Sequence, residues 1–93
     1  MIKYQDITDA YLKSIQNGEC MEDYAPSQVY IYFFIRESIR KSGRDMIELR
    51  RDDIQQVLDY GKQTITRAVK ALENKGMIVV TRRWLRNEYR LPE

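Results

Sequence analysis

Two amphipathic segments separated by three residues constrain this chain more than anything else in it. In the first, Ile54, Val57 and Leu58 stand at i, i+3 and i+4 behind Asp52 and Asp53, acids that suit a helix N-terminus. In the second, residues 62–74, Ile65, Ala68, Val69 and Leu72 fall on one side of a helix. Asp59-Tyr60-Gly61 lies between them and cannot comfortably continue a helix, so two short helices meet at a tight turn. Tyr60 is expected to tuck between them, with Gly61 opening the second. Lys75-Gly76 ends that helix, and both apolar faces must share one core.

The remaining segments supply that core. Ile7, Ala10, Tyr11 and Ile15 recur at helical spacing, which predicts a helix from about Asp6 or Thr8 to Gln16, stopped by Asn17-Gly18. An acidic loop, GECMEDYAP, follows. The run VYIYFFI alone could pass for a buried strand, being β-branched and aromatic. Ser27 as an N-cap, Ile35 and Ile39 continuing the apolar face, and the basic stop Lys41-Ser42-Gly43 instead predict a buried central helix, Ser27 to Lys41. MIEL, residues 46–49, alternates like a small strand. MIVVTR, residues 77–82, and EYRL, residues 88–91, read as the strands of a hairpin around a Trp84–Asn87 loop. Trp84 is read first as an aromatic anchoring the hairpin to the core, and second as a contact made by the loop.

Ninety-three residues make one compact unit with a single modest core. Within it, residues 1–26 form an N-terminal helix and acidic loop, and residues 27–93 form the main body. The longest apolar run, Val29 to Ile35, is seven residues, far short of the ~20 that a membrane span needs. No export signal is recognisable, so a cytoplasmic protein without membrane partners is the expectation. Histidine is absent, which removes the usual general base, the commonest metal ligand and every Ser-His or Cys-His pair. Cys20 is the only cysteine, so neither an internal disulfide nor a thiolate cluster can form. It has no basic neighbour in sequence and is read as inert. The adjacent acids Glu22-Asp23 and Asp52-Asp53 do not converge on a point, and the four glycines are scattered singly. These features argue against an enzyme and give no reason to expect a cofactor or metal.

Charge is distributed unevenly. Residues 1–26 carry a net −3, residues 27–60 balance, and residues 61–93 carry +5. On the second helix, Gln63, Arg67, Lys70 and Asn74 lie opposite the apolar row, with Lys62 and Thr66 on the flank and no acid among them. A solvated helix usually mixes signs at i, i+4 spacing, so a one-signed face is a candidate contact surface for a polyanion. The bland reading, ordinary surface residues, is the better one for any of them taken singly. Together, a short helix, a three-residue turn and a helix with a polar outer face make a helix-turn-helix, whose second helix matches the width of a DNA major groove.

The segment DIQQVLDYGKQTITRAVKALENKGMI resembles the winged helix-turn-helix family: an Asp-Ile helix, a turn, Thr-x-x-Arg, a Leu-Glu near the helix end, and Lys-Gly-hydrophobic-Ile leading to the wing. PSQVYIYFFI is similar to its first helix and NEYRL to its closing wing strand, so the likeness spans residues 27–91. Such domains occur in small regulators of the MarR and GntR type and at the front of plasmid and phage replication initiators. The resemblance implies a mainly α (α+β) fold, with a three-helix core, a C-terminal β-hairpin wing and here an extra N-terminal helix. It implies that Lys62, Gln63, Thr64, Thr66 and Arg67 face a groove of double-stranded DNA. Arg82, Arg83 and Arg86 on the wing would meet phosphates, and Lys70 extends the cationic face. Recognition helix 62–75 and wing 82–90 would then serve a transcriptional regulator or a replication-associated factor. Asp59 stands where many members have Gly, and Gly61 where many have Ser or Thr. Asp tolerates a left-handed turn position and Gly is an acceptable N-cap, but a serine-type phosphate contact at 61 is lost.

Two alternatives stay open. The same faces could serve a protein-interaction module within a nucleoprotein complex. The N-terminal helix, with Tyr4, Ile7, Tyr11, Leu12 and Ile15, could either close its own core or pack across a twofold axis as a homodimer.

Overall fold

The computed structural model describes residues 2–19 and 21–92, so Cys20 lies outside the described residues. Four helices and three strands follow in the order α1 (Tyr4–Gln16), α2 (Pro26–Ser42), β1 (Met46–Leu49), α3 (Arg51–Leu58), α4 (Lys62–Asn74), β2 (Val79–Arg82) and β3 (Asn87–Arg90). Among the described residues no helix is long and apolar enough to cross a membrane.

Helix α2 is buried on nearly every side, through Val29, Ile31, Phe33, Phe34, Ile35 and Ile39, as a helix apolar around its circumference must be. Ile54 and Leu58 of α3, the whole row Ile65, Ala68, Val69 and Leu72 of α4, and Ile7 of α1 close around it. Each large side chain so buried contributes about 1.5–3 kcal/mol. Tyr11 meets Phe33 at 5.7 Å between ring centroids, and Tyr4 stacks on Tyr30 at the same separation.

Helix boundaries correct two expectations. Helix α2 starts at Pro26 rather than Ser27, with Ala25 as N-cap. Proline at the first helical position has its φ already set and lacks an N–H that would go unpaired there. Gln28 then accepts the Ala25 N–H at 3.3 Å. Likewise α1 starts at Tyr4, two residues early, because Asp6 sits three positions after the cap and accepts the Lys3 N–H at 2.9 Å. The stop of α2 is as expected: Gly43 adopts φ 70°, a left-handed conformation that costs glycine little. Asp59 holds φ 55°, the one positive φ among the described non-glycine residues.

The sheet is antiparallel with order β1-β3-β2. Its register pairs Leu49 with Asn87 and Met46 with Arg90, while Val79 faces Arg90 and Arg82 faces Asn87 across the hairpin. Strand β3 is therefore central, and the end of β1 lies beside the start of β3. Tyr89 points into the core at 1% exposure. The expected anchoring role of Trp84 is overturned: it stands 94% exposed at the hairpin tip. Tyr89 is the residue that fastens the hairpin, since strand alternation puts it on the inner face and leaves the loop beyond the sheet.

Candidate nucleic-acid interface

The turn Asp59-Tyr60-Gly61 sets the angle between α3 and α4. Left-handed Asp59 reverses the chain, and its N–H donates to the Gln55 carbonyl at 3.0 Å. Gln55 Nε2 donates to the Tyr60 carbonyl at 3.1 Å, and half-buried Tyr60 packs against the core. Gly61 is the N-cap of α4 in extended conformation. Neither a capping side chain nor a first-turn acid occurs there, whereas α1, α2 and α3 each have a side chain accepting the cap N–H.

Along α4, Lys62, Gln63, Thr64, Thr66, Arg67 and Lys70 are all exposed, opposite the buried row. Thr66 differs from the rest in being internally bonded. Its hydroxyl donates to the Lys62 carbonyl at 2.9 Å and accepts from Arg51 Nη1 at 3.4 Å. Arg67 has no ion-pair partner among the described residues, so its guanidinium projects with all five donors open.

The hairpin arginines are arranged differently from one another. Arg82 grips Glu73 of α4 with both terminal nitrogens, at 3.2 and 3.0 Å. This pairing holds the Glu73 carboxyl below the usual range. Arg83 reaches Glu88 at 3.2 Å, and Arg90 reaches the other oxygen of the same carboxylate at 3.0 Å. Glu88 is 6% exposed, and its pKa is lowered by the Arg90 hydrogen bond first and by Arg83 after it. Within the loop, the Arg83 N–H donates to the Arg86 carbonyl at 3.2 Å. Arg86 is exposed and has no carboxylate partner among the described residues. Lys75, at the end of α4, is occupied elsewhere, donating to the Asp23 carbonyl at 3.2 Å and lying 3.9 Å over the Tyr24 ring.

A cleft of about 380 Å³ opens between the start of α3, one flank of α4 and the hairpin. Arg50, Arg51, Arg82, Arg83 and Arg86 line it together with Thr66, and no carboxylate does. The geometry thus unites four of the residues singled out in sequence, Thr66, Arg82, Arg83 and Arg86. Lys62, Gln63, Thr64, Arg67 and Lys70 lie outside it on the neighbouring helix surface. Arg50 and Arg51 are additions that sequence reasoning missed. They reach the cleft because the β1–β3 pairing carries the end of β1 to the hairpin. One signal was available: cations at the N-cap and the first position of a helix oppose the helix dipole, an unfavourable placement for purely structural residues. No group of three His, Cys, Asp or Glu residues suited to a metal ion occurs among the described residues.

Comparison with protein-family models, curated proteins and solved structures gives no match.

Proposed function

We propose that this chain is a winged helix-turn-helix protein that binds double-stranded DNA in a sequence-specific manner. In this reading α3 and α4 are the helix-turn-helix, α4 is the recognition helix and the β2–β3 hairpin is the wing. The observation that carries it is a cleft lined by five arginines, of which Arg50, Arg51 and Arg86 have no ion-pair partner among the described residues, beside a helix face whose outer groups are cationic or hydrogen-bonding. Counterions released from phosphates by these cations would make affinity fall steeply with salt. Gln63 and Arg67 would read base edges, while the hairpin and the Arg50-Arg51 pair would hold the backbone. The open N-terminus of α4, with Lys62 beside it, suits a phosphate. The reading includes no catalytic step, and its biological setting is a small transcriptional regulator or a replication-associated factor.

A homodimer across α1 belongs to the same proposal, supported by Tyr4, Leu12 and Ile15 standing 50–52% exposed along that helix. Two copies would address two half-sites.

Selection of bound sequences from random duplex DNA at fixed salt tests the proposal. Enrichment of a defined site supports it. Weak, salt-sensitive binding without enrichment would instead favour a protein-interaction module.

A further inference from the structure

The hairpin loop carries the two most exposed large apolar side chains among the described residues, Trp84 at 94% and Leu85 at 67%. Such a pair held in water at a hairpin tip is unfavourable unless something covers it. The base of the tip is also tied to its surroundings. Tyr89 is buried beneath it, Arg82 ties the end of β2 to α4, Arg83 is held by Glu88, and the Arg83 N–H closes the loop onto the Arg86 carbonyl. Arginines bracket the apolar pair on both sides in the order Arg83-Trp84-Leu85-Arg86, and Trp84 and Leu85 border the carboxylate-free cleft. The occupant that fits is flat, electron-rich and embedded in a polyanion. A stacked base between two phosphates has that chemistry.

We infer that Trp84 and Leu85 form a wedge that enters a base step of duplex DNA from the minor groove, with Arg83 and Arg86 on the flanking phosphates. This rests on the DNA-binding reading above, in which the hairpin already holds the backbone, and adds a base contact made by its tip. In the proposed reading, with α4 in the major groove, the hairpin beside it would meet the adjacent minor groove. Apolar wedges there unstack a step and kink the duplex, and the bend lets more protein surface make contact.

Trp84 is the only tryptophan, so its emission reports on this one position. The full chain is titrated with a labelled mixed-sequence duplex of about three helical turns, and anisotropy and Trp84 emission are read together. Strong quenching of emission in step with binding is expected. Trp84→Ala should weaken binding by roughly tenfold to a hundredfold, and Trp84→Phe should retain most of the affinity. The site is fully exposed, and circular dichroism verifies that both variants fold. Binding by anisotropy with unchanged emission overturns the wedge and leaves DNA binding standing. Tighter binding and stronger quenching by single strands than by duplex overturns it as well. So does a blue shift on phosphatidylserine-containing vesicles with no response to duplex, which assigns the tip to a lipid surface. Absence of any anisotropy change at low salt overturns the DNA-binding reading itself, and the wedge with it.

Discussion

Arg82 on β2 and Glu73 on α4 form a two-pronged ion pair, 3.2 and 3.0 Å, that couples the hairpin to the helix beside it. Arg82 counts toward the basic third of the chain in sequence, yet in the fold its charge is largely neutralised by Glu73. Arg82→Ala is expected to cost only about 0.5 kcal/mol of stability, because the pair is solvent-exposed. Glu73→Gln frees the guanidinium, so if the proposed DNA binding holds, affinity at low salt should rise severalfold as one more cation becomes available. An unchanged affinity for Glu73→Gln, measured by anisotropy, would show that Arg82 already reaches phosphate from within the pair.

Arg67 is the opposite case, open and unpaired on the outer face of α4. If it pairs with guanine through two donors, Arg67→Ala should lower discrimination between selected and scrambled sites by about 1–3 kcal/mol, leaving non-specific binding nearly intact. Arg83→Ala should weaken both alike. Equal losses on both duplexes for Arg67→Ala would remove it from base reading.

Acid should weaken the carboxylate pairs that fasten both the sheet and the helices. Glu73 and Glu88 both have folded-state pKa values depressed by their arginines. Their contribution to stability is therefore fully present above the ordinary glutamate value of 4.5 and is lost as pH falls through the lower folded-state value. Asp6, bonded by the Lys3 N–H and Lys41, and Glu19, bonded by Ser14 and Arg36, act in the same direction. With no histidine in the chain, thermal stability should be flat between about pH 6 and 8 and fall below about pH 4.5. Glu88→Gln should be less stable at neutral pH and show a shallower acid decline. A melting temperature that stays constant into strong acid would contradict this assignment.

The left-handed turn at Asp59 gives a stability prediction of known sign. A non-glycine residue in that region is strained by roughly 1–2 kcal/mol, which aspartate partly relieves. Asp59→Gly should raise stability by up to about 1 kcal/mol after the entropy lost on ordering glycine. Asp59→Val should lower it by more than that, because its branched Cβ crowds the following carbonyl. Thermal melts of the two variants moving in the same direction would exclude the turn geometry.

Element order was legible because each helix carries its own apolar period. The row Ile65, Ala68, Val69, Leu72 specifies which side of α4 is buried without any knowledge of what covers it. Even the ambiguous run VYIYFFI resolved correctly once its length was set against its stop signal. Boundaries were less legible where a residue has two roles in capping: Asp6 and Pro26 act inside the first turn, three positions and one position past the cap, rather than before the helix. The position of Trp84 was misread for a different reason. Aromatic residues near a hairpin usually bury, and only the register of β3 against β1 shows that Tyr89 already fills the inner face. That register is a long-range pairing with no local signature, and it also decides which cations meet in the cleft.

Arg51 follows from that pairing and supplies the sharpest test of the cleft. It begins α3, where a cation opposes the helix dipole, and its Nη1 lies 3.4 Å from the Thr66 hydroxyl on α4. At that distance and with both partners exposed, the hydrogen bond adds little to stability, so Arg51→Ala should leave the melting temperature nearly unchanged or slightly raised. Its effect on binding should be large by comparison. If the cleft holds a phosphate, losing Arg51 weakens selected and scrambled duplexes equally and reduces the slope of log affinity against log salt by about one. A Lys at 51 would restore the slope, since charge is what releases the counterion, but not the contact to Thr66. A salt slope identical to that of the unsubstituted chain would place the phosphate backbone away from this cleft and confine binding to the open face of α4.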